Sequence, residues 1–495
     1  MDQNQSWLIH TLLRAVRSGL FLFFGPILAT TACASDWYVS QSGGGAQNGA
    51  DAADAYPLSW MNWGAAASKV KPGDTIHLCG TVNSQLGFYY SGVSGSPITL
   101  HFEPGAQISQ PGTSGGPMMT IPNQSYVVID GGSNGIIQNT DNGTNLDNHN
   151  PTSGINASGS SNLEIKNLTF ANLYVHVAGA DGSTDFGSTG AVYMNGGGNN
   201  ISVHDCVFHD MSECVYVTTS GSGINIYNNN FYNFNHGAEG LTGNNVNIYN
   251  NTFGSTANWD TNSDSYHHDG VFPFGASIGV NIYGNLFDGN WGTNNTAHIF
   301  LDSGSLSNVS IWNNVFLQYA GDYLSNGFLA GGAANLSIFN NTFDGAGVTN
   351  SIGICTSGSN LSIVNNIISG VTTFVSLGST TAFSGMGLNN NLYANATAGG
   401  NAPFSLSGTS YSTLTAWQAA TGGEGNSSIV SSASLQSNGE LQTGSPAIGA
   451  GTNLSPYFNN DKSGSVRNVP WDIGAYDGPQ PPVVQNLRLE SGVNP

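Results

Sequence analysis

The chain has 495 residues, 29 of them acidic and only 8 basic, so charged residues make up 7% against about 25% in an average soluble protein. Glycine numbers 68 and hydrophobic residues still reach 39%, which excludes both a disordered acidic chain and a helical bundle. A net charge of −21 excludes nucleic acid as a partner, because phosphate binding rests on Lys and Arg. The expectation is a turn-rich, all-β protein whose surface is polar through Asn, Ser, Thr and Gly.

At the N-terminus, Arg14 and Arg17 precede an apolar run from Gly19 to Ala29, followed by the small residues Ala32, Cys33 and Ala34. This pattern reads as a secretory signal peptide over residues 1–34, since the run is too short to anchor in a bilayer. The mature chain is therefore expected to be secreted, extracellular or periplasmic, with no membrane insertion, and to act as a monomer. It keeps Cys79, Cys206, Cys214 and Cys355. Four cysteines in so long a chain form no disulfide framework and read as buried thiols, with a Cys206–Cys214 bridge as the alternative.

Next comes Asp36-Trp37-Tyr38-Val39-Ser40, an Ala-rich amphipathic stretch over residues 58–70 that reads as a short capping helix, and Lys71-Pro72-Gly73-Asp74-Thr75-Ile76. A strand-like phrase then recurs, for example Ile226-Tyr227-Asn228-Asn229-Asn230-Phe231, Ile248-Tyr249-Asn250-Asn251-Thr252-Phe253 and Ile338-Phe339-Asn340-Asn341-Thr342-Phe343. Its last residue falls at Phe170, Phe208, Phe231, Phe253, Phe287, Phe316, Phe343, Ile368 and Tyr393. Intervals from 22 to 38 residues, with period-2 alternation and asparagines at the bends, suit coils of a β-solenoid stacked about 4.8 Å apart. Asparagine tolerates the left-handed conformation of a tight corner and can hydrogen-bond along a stacked column.

The closing region carries Ser445-Pro446-Ala447-Ile448-Gly449-Ala450-Gly451, then Asp461, Arg467 and Trp471-Asp472-Ile473-Gly474-Ala475-Tyr476-Asp477. Lys462 and Arg467 beside Asp472 and Asp477 read as a structural charge cluster. With the opening segment and the repeats, this resembles secreted right-handed parallel β-helix proteins of the pectate-lyase-like superfamily, over roughly residues 36–478. The resemblance implies an all-β, right-handed parallel β-helix over residues 35–478 with a Pro-rich tail over 479–495, and a carbohydrate-active function. It is specific for the fold and weak for the reaction.

Two coils are inflated, by residues 178–190 and 255–268, as the walls of a binding groove are. Aligning the coils by the strand after each corner gives a column that carries Glu213, His236, Glu239, His267, His268, Asp269, His298 and Asp302 in its middle and is apolar or small elsewhere. Clustered titratable groups on a charge-poor protein mark a working site. Within the column, Ile299 and Leu301 are expected to point inward, turning His298 and Asp302 outward.

Glu239, His267, His268, Asp269, His298 and Asp302 are the catalytic candidates; Glu213, His236, Trp259, Tyr266 and Trp291 are the substrate-binding ones. A carboxyl pair about 5–5.5 Å apart suits retaining glycoside hydrolysis and about 6.5–9.5 Å suits inversion, so Glu239 with Asp269, or Asp269 with Asp302, would serve. The second reading is β-elimination or C5-epimerisation of a uronic-acid polymer by His and Tyr. No Lys or Arg occurs between Cys206 and Tyr393, so that reading needs a metal. Asp260, Asn262 and Asp264 alternate oxygen ligands as a Ca²⁺ loop does, yet lack the glycine and glutamate of an EF-hand. A third reading is a non-catalytic glycan-binding solenoid. A secreted enzyme hydrolysing a polysaccharide of low charge leads the three.

Overall fold

The computed structural model describes residues 34–112, 116–141, 152–173, 190–256, 268–292, 295–319, 322, 324, 326–347, 351–378, 383–396 and 403–479. Among these, every ladder between strands is parallel except the hairpin Phe404–Leu406 with Thr409–Tyr411. Each coil pairs with the next through three strands, so the chain winds as the expected parallel β-helix. One sheet runs through Asp36–Ser40, Thr75–Cys79, Ile98–Phe102, Ile201–His204 and Ser277–Tyr283. After an asparagine corner a second, narrow sheet follows, through Thr252–Phe253, Leu286–Phe287, Val315–Leu317 and Thr342–Asp344. The third sheet takes in Val192–Asn195, residues 213–218 and 236–240, His268–Pro273, residues 297–302 and Ile352–Thr356.

The recurring phrase does two jobs at the first corner. Its first asparagine takes the left-handed conformation and faces out, with φ between 48° and 59° at Asn228, Asn250, Asn313, Asn340 and Asn365. Its second turns inward and builds a ladder. Asn251 Oδ1 accepts from both the backbone N–H and Nδ2 of Asn229, each at 3.0 Å, while Asn229 Nδ2 also donates to the Val203 carbonyl. The same pattern links Asn251 to Asn285, then Asn314, Asn341, Asn366 and Asn391. Buried amides thus find partners only through the neighbouring coil. Beside them, Phe170, Phe208, Phe231, Phe253, Phe287, Phe316 and Phe343 stack with ring centroids 4.5–5.0 Å apart, all fully buried.

The ladder is polar and needs an acceptor at its last donor. Asn391 N–H donates to Ser427 Oγ at 2.8 Å and its Nδ2 to Glu424 Oε2 at 3.2 Å. Glu424 also accepts from the Tyr393 hydroxyl and from Trp417 Nε1. Trp417 lies on the α-helix Leu414–Thr421, which begins at Thr413, whose hydroxyl accepts the Ala416 N–H, and ends at Gly422 with φ of 68°. No period in the sequence had marked this helix.

The expected capping helix over residues 58–70 takes the form of two 3₁₀ turns, Leu58–Trp60 and Asn62–Gly64, with Leu58 and Met61 in the core. All four cysteines among the described residues are free thiols, so Cys206 and Cys214 form no bridge. The closing charge cluster is structural, as expected. Buried Arg467 donates to Asn313 Oδ1 and to the Gly474 and Ala475 carbonyls, and pairs with Asp477 at 3.1 Å. Among the described residues no helix is long and apolar enough to cross a membrane.

Asn285 is fully buried and sits mid-ladder, so Asn285→Ala strands two donors of Asn251 and is expected to cost about 2–4 kcal/mol. A urea midpoint shift measures this, and a loss well under 1 kcal/mol would contradict the ladder's role.

Candidate active site

The third sheet places the site. Its register pairs Glu213 with His236 and His236 with Asp269, and three residues on it pairs Tyr216 with Glu239 and Glu239 with Phe272. Glycine fixes which way these strands face. A Cβ on Gly237 would meet the Phe253 ring at 2.6 Å, and one on Gly270 the Phe287 ring at 2.6 Å. The inward position is already filled by the phenylalanine stack, so the neighbours His236 and Asp269 turn to the other face.

There they meet in one cluster. His236 Nδ1 lies 3.2 Å from Glu239 Oε2, and His236 Nε2 lies 3.8 Å from Asp269 Oδ2. Asp269 Oδ1 accepts the Ala297 N–H at 3.0 Å, which anchors that carboxylate to the next coil. Glu213, His236 and Glu239 are 8%, 5% and 6% exposed and Asp269 is fully buried. Burial, with the charge of Glu239 added, pushes the Glu213 carboxyl well above the usual carboxylate range. A raised carboxyl beside a second carboxylate is the arrangement by which two close carboxyl groups divide acid and base roles. Glu213 Oε2 is buried with no hydrogen-bond partner among the described residues.

An aromatic wall borders the cluster. Tyr193 stacks on Tyr216 at 5.0 Å, Phe272 on Phe300 at 5.5 Å, and the His236 ring lies 5.0 Å from Phe272. Sequence reasoning missed Tyr216, Phe272 and Phe300 as site residues. The signal was their recurrence three places after Glu213, Asp269 and Ala297, with Glu239 at the same place after His236.

Four expected residues, Glu213, His236, Glu239 and Asp269, thus come together. His268 is fully buried beside them, with Nδ1 3.3 Å from the Phe234 carbonyl. Asp302 is exposed, pairs with Gly332, and lines a cleft of about 430 Å³ with Phe300, Gly331 and Ser357.

Two expectations are corrected. His298 faces inward: its coil is registered by Asp269 with Ala297, which puts His298 level with Gly270. Its imidazole fills the space that glycine leaves, 5.3 Å from the Phe287 ring and 5.9 Å from Phe316, and burial pulls its pKa down to about 3. Trp291 is likewise fully buried, 4.3 Å from His298 and 5.7 Å from Phe234, and so is core, not groove wall. Trp259, Asp260, Asn262, Asp264, Tyr266 and His267 lie outside the described residues, as does most of each inflated stretch.

No protein-family model and no curated protein matches this chain. Among solved structures it is similar to pectate lyase Pel9A, at 15% identity over 90% of this chain and 96% of that one, with a TM-score of 0.43. It is also similar to a mannuronic acid specific polysaccharide family 6 lyase from human gut microbiota (15% identity, 73% of each chain, TM-score 0.44). A third is the GH136 lacto-N-biosidase from Eubacterium ramulus (12% identity, 73% of this chain and 64% of that one, TM-score 0.44).

Because His298 binds protons more weakly folded than unfolded, stability is complete above the unfolded value of about 6.5 and falls as pH drops toward 3. His298→Phe is expected to keep the ring stack and flatten that acid-side loss. Denaturation midpoints between these pH values test it, and an unchanged slope would place His298 elsewhere.

Proposed function

We propose that this protein is a secreted glycoside hydrolase acting on a polysaccharide of low charge laid across the third sheet. The observation that carries the reading is the cluster of Glu213, His236, Glu239 and Asp269 on three consecutive coils, where burial and then the charge of Glu239 raise the Glu213 carboxyl. Glu213 is the general acid that protonates the departing glycosidic oxygen. Glu239 is the base or nucleophile. His236, between Glu239 and Asp269, orients Glu239, and Asp269 positions the imidazole from its anchor on the Ala297 amide. The pair is therefore Glu213 with Glu239, because Asp269 is engaged with backbone and Asp302 lines the cleft with Gly331 and Ser357.

The wall of Tyr216 and Phe272 suits the apolar faces of sugar rings, with hydroxyls left to the carboxylates and the imidazole. Charge supports a neutral chain: the protein carries −21 overall and has no Lys or Arg between Cys206 and Tyr393, so a polyuronate is repelled. Elimination fits less well, because burial and two nearby carboxylates raise the Tyr216 phenol and keep it protonated, so it is not free to take a proton. The signal-peptide pattern over residues 1–34 puts the activity outside the cytoplasm.

The test is incubation of the mature protein with neutral and uronate polysaccharides, following reducing ends and ultraviolet absorbance together. Reducing ends without the absorbance of an unsaturated uronate are expected. Glu213→Gln and Glu239→Gln are each expected to lower kcat by about 10²–10⁴ with unfolding midpoints unchanged. Full activity in both variants, or an unsaturated product, would overturn the reading.

A further inference from the structure

A second organised surface lies on the first sheet, away from the carboxyl cluster. Its outer column runs His204, Tyr227, Tyr249, Tyr283, Trp312, with consecutive rings stacked 4.3–4.8 Å apart. The tyrosines and Trp312 are half-buried, unlike the inner phenylalanine stack, so this row meets solvent. Two residues before each of the three tyrosines stands an amide row: Asn247 Nδ2 donates to Asn225 Oδ1, and Asn281 Nδ2 to Asn247 Oδ1, each at 3.0 Å. Burial keeps the phenols protonated, that of Tyr283 up to about 12, so they remain hydrogen-bond donors. Between His204 and Lys462 the track carries no charge.

The protein itself displays what such a track holds. Further along, the outward corner asparagines clasp the closing segment. Asn313 donates to the Asn460 carbonyl, Asn340 to those of Asp472 and Gly474, Asn365 to that of Thr452, and Asn390 to that of Ala450. Phe458 covers the end of the ring row, 5.9 Å from Trp312. The same corner column continues uncovered as exposed Asn228 and Asn250. Where cover stops, Asn250, Tyr283, Trp312, Phe458 and Lys462 line an open cleft of about 670 Å³, and a second of about 390 Å³ with Glu164, His204 and Tyr227 lies toward the other end. The closing segment, whose carbonyls accept from Asn313, Asn340, Asn365 and Asn390, already occupies that part of the corner column.

We propose that the uncovered part, from Tyr227 to Tyr283, binds one extended chain of a neutral polysaccharide and holds it beside the enzyme without cleaving it. Hydroxyl and ring oxygens face the tyrosines and asparagines, and pyranose C–H faces lie against the ring edges. A linear polymer is required because donors recur coil after coil, and a polyanion is opposed by the net charge. The ligand class rests on the proposed hydrolase reading; the binding itself does not.

The experiment is affinity electrophoresis of the full chain carrying Glu239→Gln, in gels containing xyloglucan, glucomannan, mixed-linkage β-glucan, dextran or alginate. At least one neutral polymer is expected to retard it. Tyr249→Phe with Tyr283→Phe keeps the rings and removes two donors, and is expected to weaken that retardation about tenfold. Tyr249→Ala with Tyr283→Ala is expected to abolish it, with unfolding midpoints recorded alongside. Retardation unchanged in the Phe pair, retardation by alginate alone, or none by any neutral polymer would overturn the proposal. Binding without cleavage by the wild type would sink the hydrolase reading and leave the track standing.

Discussion

The asparagine ladder is the constraint on which the rest depends. Each inward amide between Asn229 and Asn366 gives its donors to the next coil's oxygen and one to a carbonyl of the coil before, so no coil can slip without stranding buried polar groups. That fixes the register, and register turns single residues into columns. The column facing in becomes the phenylalanine stack; columns facing out become the carboxyl cluster on one sheet and the ring row on another. The ladder's polarity also explains Glu424, whose buried carboxyl, with Ser427, ends a row that would otherwise finish on unpaired donors.

Scarcity of charge gives the cluster its meaning. The stacked coils achieve solubility with amides and hydroxyls, so Glu213, His236, Glu239 and Asp269 face one another without competing cations. In so buried a place two carboxylates do not both ionise readily, and Glu213 retains the proton. Asp269 is held in place by the Ala297 N–H of the next coil, which makes it a support for His236.

The fold was legible because the phrase Ile-x-Asn-Asn-x-Phe encodes a strand, a left-handed corner and an inward ladder in six residues, as in Ile248–Phe253. Half of the site was legible for the same reason: Glu213, His236 and Asp269 occupy one position in successive coils. His298 misled because alternation from Ile299 and Leu301 turns it outward, whereas His298 and Ile299 are both buried: the position shared by Gly237, Gly270 and His298 and the one shared by Ala238, Val271 and Ile299 both face the core. Period-2 alternation alone does not locate a corner at which two successive residues turn inward. Trp291 misled for a related reason: it lies on a connection that folds back over the core, and an irregular segment carries no alternation from which to read its direction.

Most direct for the central claim is the titration of Glu213 itself, followed as the carboxyl infrared difference between the wild type and Glu213→Gln across pH. The account predicts that Glu213 stays protonated well above the ordinary glutamate value of about 4.3, and that removing the neighbouring charge by Glu239→Gln lowers it. A Glu213 that titrates at the ordinary value and ignores Glu239→Gln would contradict it.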